Sequence, residues 1–336
     1  MNILFTCAGR RKYLLQYFSE VLVNRGRVIA ADMQLTAPAM AIADKAFVVP
    51  GVYETNYIDT LLDICRQEKV SGIISLNDLE LPILAAEKDK FVEIGSRLVV
   101  SGIEATDICF DKMRTVSFCE TLNVKTPKTF LNLDEAMLAL HNGELSFPLV
   151  LKPRWGSASI GIEFPESIGE LEWAYKLLSK KLYRSMLSTI SSNDPGQNIL
   201  IQEKINDTEY GLDILNDFDG RPAQVYVKEK LAMRAGETDK AVLRNIPELE
   251  QLGFRIGEAL GHIGNLDVDI FESGGDSYLL EMNPRFGGGY PFSQMAGANY
   301  PAAIVAWLEG KEYDFSSFRR HYDQPYAKCD TLITVG

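Results

Sequence analysis

The chain has few cysteines and fewer histidines. Cys7, Cys65, Cys109, Cys119 and Cys329 are odd in number, widely spaced and form no Cys-x-x-Cys. That usage excludes a disulfide scaffold and leads to the expectation of reduced thiols in a cytoplasm. His141, His262 and His321 stand far apart without metal-ligand spacing, which argues against zinc. No apolar run approaches the roughly 20 residues of a membrane helix, so no membrane partner is expected. The first residues lack the basic and apolar blocks of a signal peptide. Positive charge is scarce too: 34 Lys and Arg against 46 Asp and Glu, a net charge of -12. Non-specific nucleic-acid binding is therefore not expected. An anionic small molecule remains admissible, because clustered cations can invert the potential inside a cleft.

What is present suits a globular protein of two or three domains: 336 residues, 46% hydrophobic and 24% charged. The first third alternates strand and helix. Asn2–Thr6 reads as a strand. Leu14, Leu15, Phe18, Val21 and Leu22 recur as one face of a helix, Gly26 closes it, and Arg27–Asp32 is the next strand. Further strands are expected at 46–49, 72–76 and 98–101, with helices at 57–67 and 79–91. This predicts an open, mostly parallel α/β sheet covered on both faces. The first turn holds one glycine, Gly9, instead of G-x-G-x-x-G, so a dinucleotide is not expected despite Asp32. Gly9, Arg10 and Arg11 could hold a carboxylate or phosphate, or the arginines could be solvated. Asp78 and Glu80 follow the strand 72–76, where open sheets present their ligand crevice. They are candidates for a substrate amine, with helix capping as the alternative for Asp78.

In the middle, a helix begins at Lys112, a short strand lies near Phe130, and a helix covers 134–141. The apolar run 147–151 delivers Lys152 inward ahead of Pro153. A lysine there is costly to bury unpaired, so it is a phosphate candidate. The small residues of 154–161, with Ser157, Ser159 and Gly161, form a loop able to wrap phosphate oxygens, although the Walker A pattern is absent. Residues 183–198 are rich in Ser and turn formers and are expected to be mobile. The strand 199–202 leads into Glu203, Lys204 and Ile205, whose backbone can meet an adenine edge, with Glu209 placed for ribose hydroxyls.

Lys228, Lys230 and Arg234 precede a polar loop that reads as a lid or a solvated hairpin end. A helix over 247–260 follows, then a strand 264–271 carrying Asp267 and Asp269 on one face. A turn at 273–276 returns the chain as a strand ending in Glu281 and Asn283, again two apart and on one face. Antiparallel pairing brings Asp267 or Asp269 beside Glu281. Pro284 stops the strand, Arg285 supplies a cationic fork, and Gly287, Gly288 and Gly289 let the backbone bend closely. Hard oxygen donors beside an arginine suit Mg²⁺ on a polyphosphate. A last helix covers 302–309 and a last strand 331–335.

Lys112, Val150-Leu-Lys-Pro153 with its Gly/Ser loop, Gln202-Glu-Lys-Ile205 with Glu209, and Asp267 with Glu281-Met-Asn-Pro-Arg285 together resemble the ATP-grasp superfamily. The order and spacing match over residues 106–310, and the ending Leu-Leu-Glu-Met-Asn-Pro-Arg-Phe-Gly-Gly-Gly is most similar to proteins like the carbamoyl phosphate synthase large subunit. The resemblance implies a pre-ATP-grasp Rossmann-like domain at 1–105 and an ATP-grasp fold of two α+β parts at 106–203 and 204–336. It implies ATP with Mg²⁺, or Mn²⁺ in its place, and a ligase joining a small-molecule carboxylate to an amine or thiol through an acylphosphate. A small-molecule kinase or a non-catalytic nucleotide-binding protein are the alternatives. Lys112 and Lys152 would bind phosphates beneath the loop of Ser157, Ser159 and Gly161. Glu203, Lys204 and Ile205 would hold adenine, and Glu209 ribose. Asp267, Glu281 and Asn283 would bind the metal, with Asp269 the rival of Asp267, and Arg285 would serve the transferring phosphate alongside Lys152 and Asn283. Arg10, Arg11, Asp78, Glu80, Arg234 and Gly288 are the expected substrate residues. A cytoplasmic homodimer is the implied assembly. The chain is too short for two ATP-grasp units, so carbamoyl phosphate synthesis is not expected.

Overall fold

The computed structural model describes residues 1–336 apart from 157–160, 186, 192, 193, 195 and 318. The chain opens with β1 (Asn2–Thr6), α1 (Lys12–Val21), β2 (Arg27–Asp32), β3 (Lys45–Val48), α2 (Tyr57–Glu68), β4 (Val70–Ser75), α3 (Leu81–Ala86), α4 (Lys88–Glu93) and β5 (Arg97–Leu98). These strands form one parallel sheet in the order β3-β2-β1-β4-β5. Alternate residues of β1 serve opposite cores. Ile3 and Phe5 pack with Leu14 and Phe18 of α1, and Leu4 packs with Leu61 and Ile64 of α2. The expected two-faced α/β sheet is what forms.

Three local expectations are corrected. The helix expected over 79–91 is two helices, because the backbone turns at Glu87 between α3 and α4. The strand expected at 98–101 is only Arg97–Leu98. Residues 331–335 form no strand, and Leu332 is fully exposed. The last pairing lies earlier, at β14 (Pro325–Ala327).

The middle of the chain adds α5 (Ile103–Phe110), α6 (Lys112–Thr121), β6 (Thr129–Phe130), α7 (Leu133–His141), β7 (Leu149–Pro153), α8 (Ile168–Leu182), α9 (Ser188–Ser191) and β8 (Ile199–Glu203). An antiparallel sheet in the order β6-β8-β7 rests on Leu149, Leu151, Leu171 and Leu178. Within the stretch 183–198, read from the sequence as mobile, α9 forms. Residues 186, 192, 193 and 195 of it lie outside the described residues.

The remainder is β9 (Thr208–Asn216), β10 (Pro222–Arg234), β11 (Glu237–Leu243), α10 (Pro247–Leu260), β12 (Gly264–Ser273), β13 (Asp276–Asn283), α11 (Tyr290–Met295), α12 (Tyr300–Leu308) and β14. Six strands pair in the order β13-β12-β9-β10-β11-β14. The basic stretch after Lys228 is thus part of a β10–β11 hairpin that turns at Ala235 and Gly236 and shifts register around Ala232.

The N-terminal sheet is joined to this last sheet by aromatic packing. Phe286, Tyr290 and Tyr300 share one buried cluster with Phe5, Leu14 and Phe18, and the rings of Phe18 and Phe286 lie 6.1 Å apart, edge to face. Arg11 Nη1 donates to the carbonyl of Leu76 at 2.9 Å and to that of Phe286 at 2.8 Å, tying the two units together.

Glu80 is buried completely inside the first unit. Its carboxylate accepts hydrogen bonds from Thr6 Oγ1 (2.8 Å), Tyr57 OH (2.5 Å) and Ser75 Oγ (2.6 Å). It joins β1, α2 and β4 and presents no oxygen to a substrate, which corrects the expectation from sequence. Burial raises its pKa, and the three hydroxyl donors only partly offset this. Its contribution to stability is therefore complete below the ordinary carboxylate range and declines as pH rises through the raised value. In urea unfolding, Glu80→Ala is expected to lose roughly 2–4 kcal/mol, because three hydroxyls lose their acceptor. Glu80→Gln is expected to remove the pH slope that Glu80 gives the wild type.

Candidate active site

The site is built on the pairing of β12 and β13. In register, Asp267 lies opposite Asn283 and Asp269 opposite Glu281. Four oxygen-bearing side chains therefore share one end of the hairpin, as the two i, i+2 pairs require. Glu209 of β9 reaches the same face. Lys230 of β10 bridges Glu209 and Asp269, at 2.7 and 2.6 Å. Burial works against the charge on Lys230, yet Asp269 and Glu209 outweigh it and raise its pKa. Asp269 itself is pushed up to about 7. Burial is the main cause, Lys230 opposes it, and the carboxylates Asp267, Glu281 and Glu209 add to it. Negative charge is in excess here, a condition that a cation relieves.

Two lysines face this carboxylate end. Lys152 ends β7 and is 4% exposed. Among the described residues its ammonium makes no ion pair or hydrogen bond. Burial lowers its pKa to about 8, Glu281 acting against the shift and Lys112 with it. Lys112 is also buried and also shifted down by burial, again opposed first by Glu281. Its Nζ donates to the carbonyl of Gly156. Local chemistry fixes that position. Asp111 caps α6 by accepting from the amide of Met113 at 3.0 Å, and also holds Arg154 bidentately at 2.8 and 2.6 Å. The start of α6 is thus stitched to the chain leaving β7. Lys112, Gly156, Glu281, Asn283 and Asp78 line a common crevice.

Arg285 lies between two carboxylates. Nε and Nη2 donate to Asp78 Oδ2 at 3.1 and 2.8 Å, and Nη1 to Asp267 Oδ2 at 3.4 Å. Burial disfavours its charge, but Asp78 and Asp267 more than compensate and raise its pKa. The backbone at Gly287 approaches the other side of Asp267 so closely that a Cβ there would overlap the carboxyl group. Of the three glycines Gly287 is the one its neighbour requires; a Cβ at Gly288 or Gly289 would meet side chains at 3.2 and 3.4 Å. Gly287 faces Asp267, Gly288 faces Glu237, and Gly289 faces Lys228.

The other expected residues are less gathered. Glu203 pairs at the end of β8, its carboxylate accepting from the amide of Lys128 at 3.3 Å. The Lys204 ammonium lies 5.2 Å above the ring of Phe164, and Ile205 follows β8 directly. Arg234 sits at the exposed hairpin end, bound to Asp239 and Asp330. Arg10 is exposed, and Arg11 is engaged by two carbonyls. Burial disfavours the charge on Glu237, yet Lys328, Arg11 and Arg10 hold its pKa below the ordinary value. Gly161 is described, whereas Ser157 and Ser159 lie outside the described residues. Asp78 meets Arg285 where a substrate amine was expected. Lys230 was overlooked as a site residue. Its spacing of two from Lys228 on a strand already marked it as sharing that lysine's face.

Glu281, Asn283, Asp267 and Asp269 supply oxygen alone, the donor type that Mg²⁺ and Mn²⁺ take. Among the described residues no group of three or more His, Cys, Asp or Glu side chains is gathered to hold a metal ion unaided. Two carboxylates and a carboxamide, completed by phosphate oxygens, are the donor set Mg²⁺ uses on nucleotides. The residues present fit that ion.

Comparison with known proteins agrees with this geometry. Residues 3–99 match the family described as PylC-like, N-terminal domain. Residues 196–327 match the family described as ATP-grasp in the biosynthetic pathway with Ter operon. A formate-dependent phosphoribosylglycinamide formyltransferase of Prochlorococcus marinus is 27% identical over 77% of this chain and 64% of its own length. A carbamoyl phosphate synthase large chain of Clostridium acetobutylicum is 22% identical over 88% of this chain and 26% of its own. The chain thus spans less than two thirds of these curated relatives. Among solved structures, the biotin carboxylase domain of Hydrogenobacter thermophilus 2-oxoglutarate carboxylase, in complex with MgADP, superposes with a TM-score of 0.74 at 16% identity, covering 96% of this chain and 73% of that one. An L-amino acid ligase from Bacillus licheniformis gives 0.70 at 19%, covering 95% and 77%. Fold, site chemistry and family matches converge: residues 196–327 are similar to an ATP-grasp family and residues 3–99 to a PylC-like N-terminal domain.

Proposed function

We propose that the chain is an ATP- and Mg²⁺-dependent ligase that joins a small-molecule carboxylate to an amine or thiol through an acylphosphate. The observation that carries this reading is the opposition of Lys112 and Lys152, both buried, to the oxygen donors of β12 and β13. That arrangement suits a polyphosphate between cations on one wall and a divalent ion on the other. Lys112 and Lys152 bind the phosphates. Glu203, Lys204 and Ile205 border adenine, and Glu209, steadied by Lys230, accepts from ribose. Glu281, Asn283 and Asp267 or Asp269 hold Mg²⁺, which when bound neutralises charge on phosphoryl oxygens.

The substrate carboxylate oxygen attacks the γ-phosphorus, and the bond to the β-phosphate oxygen breaks, releasing ADP. Lys152 and Arg285 balance charge on the transferred group. The amine then attacks the acyl carbon and phosphate departs with the amine proton. No side chain serves as a covalent nucleophile. Arg10, Gly288 and Glu237 form the rim where the acid substrate enters. The free state of all five thiols suits a cytoplasmic enzyme, and a homodimer is the assembly we propose.

Amino acids and sugar acids, each supplied with an amine, are expected to stimulate ADP release in at least one pairing, with an amide as product. A stable phosphorylated alcohol and no amide would overturn the ligase reading in favour of a kinase. Glu281→Gln is expected to reduce metal-dependent ADP release about 100-fold; unchanged turnover would remove Glu281 from the metal site. The ammonium of Lys152 is lost as pH rises through about 8, and phosphate prefers the charged form. Nucleotide affinity measured by calorimetry is therefore expected to be flat below that pH and to weaken above it, approaching about tenfold per pH unit. Lys152→Arg, charged throughout, is expected to abolish this slope.

A further inference from the structure

Arg285 is held by a residue from the other end of the chain. Asp78 lies in the loop between β4 and α3, 207 positions away in sequence, and its Oδ2 accepts from both Nε and Nη2. The two side chains are 6% and 10% exposed. A guanidinium is a rigid planar fork, so anchoring two of its nitrogens fixes the direction of the third. That third nitrogen, Nη1, is the weakly held one. Its contacts to Asp267 Oδ2 and to the carbonyl of Phe286 are 3.4 and 3.3 Å, at or beyond the long end of the hydrogen-bond range.

We propose that Asp78 is the positioning residue of the metal site: it takes up Nε and Nη2 of Arg285 and leaves Asp267 so loosely held by Nη1 that the Asp267 carboxylate is available to a divalent cation. The inference rests on the ATP-grasp reading of the site. Its logic is a division of one cation between two carboxylates. While Asp78 carries most of Arg285, Asp267 is only loosely engaged and can turn to a divalent cation. Without the Asp78 charge, the buried guanidinium keeps Asp267 as its remaining anion. An uncompensated buried charge is costly, so Arg285 moves fully onto Asp267 and withdraws it from the metal. The N-terminal unit thereby sets the metal affinity of a site on another sheet without touching the ion. Asp78 also lines the crevice shared by Lys112, Glu281 and Asn283.

The test measures ATP binding to the full chain by calorimetry, with Mn²⁺ and separately in chelator without metal. Asp78→Asn keeps shape and removes charge. It is expected to weaken Mn²⁺-ATP binding about tenfold, within the range of outer-sphere substitutions at metal sites, while metal-free ATP binding stays within about twofold of wild type. Asp78→Glu is expected to restore part of the loss. In an Arg285→Ala background the effect of Asp78→Asn is expected to vanish, because the competitor for Asp267 is gone. A merely structural Asp78 would weaken both binding modes equally and act additively with Arg285→Ala; either result overturns the proposal, as does wild-type Mn²⁺-ATP affinity in Asp78→Asn. A wild-type chain that binds no ATP with or without Mn²⁺ overturns the nucleotide reading and this proposal together. Normal wild-type binding with an unaffected Asp78→Asn overturns this proposal alone.

Discussion

Everything in the site depends on an imbalance of charge at the end of one β-hairpin. Glu281, Asp267, Asp269 and Glu209 converge from three neighbouring strands, with Lys230 inserted between Glu209 and Asp269 and Arg285 loosely on Asp267 as counter-ions. Lys112 and Lys152 stand opposite without entering ion pairs among the described residues, one shifted down and the other lowered to about 8. Neither wall is electrostatically content. A polyphosphate carrying a divalent cation satisfies both at once, since its metal meets the carboxylates and its oxygens meet the ammonium groups.

The parallel sheet contributes no strand to that hairpin, but it supplies Arg11 and Asp78 to the loop that follows. Arg11 binds the carbonyls of Leu76 and Phe286, and Asp78 holds the guanidinium of Arg285. Phe286, Tyr290 and Tyr300 complete the joint by entering the core of the N-terminal unit. The polar and apolar contacts fall within one short stretch after β13. That concentration places Asn283-Pro-Arg285 and the three glycines side by side in sequence: one turn serves the proposed metal and phosphate sites and the domain joint.

Much of this was legible in the sequence where local periodicity and tertiary role agree. The alternation of the first third gave the parallel sheet, and the two acids on β12 with the Glu-x-Asn on β13 gave their shared face, because side-chain direction on a strand has a period of two; which acid stands opposite Glu281 came only from the pairing register. The helix α8 escaped notice. Trp173 is 77% exposed on it, so its hydrophobic pattern is blurred, although Ser167 marks its start as the N-cap, accepting from the amide of Glu170. Glu80 looked like a cleft residue because it follows a strand end. Only the three-dimensional meeting of Thr6, Tyr57 and Ser75 shows that its oxygens are consumed inside the core. Asp78, two positions earlier, could not be told apart from it by sequence. Its partner lies on the far side of the chain, and long-range pairing leaves no local trace.

Gly287 has a mechanical meaning beyond its lack of a side chain. Asp267 bears directly on the main chain there, so the carboxylate is located by a hard stop instead of by a compliant neighbour. That stop belongs to the turn leading into Tyr290, whose ring is fully buried in the N-terminal core. The reference point for one candidate metal-ligand oxygen is therefore the interior of a different sheet. Displacement of that core, by ligand or by mutation, would move the backbone against which this carboxylate rests.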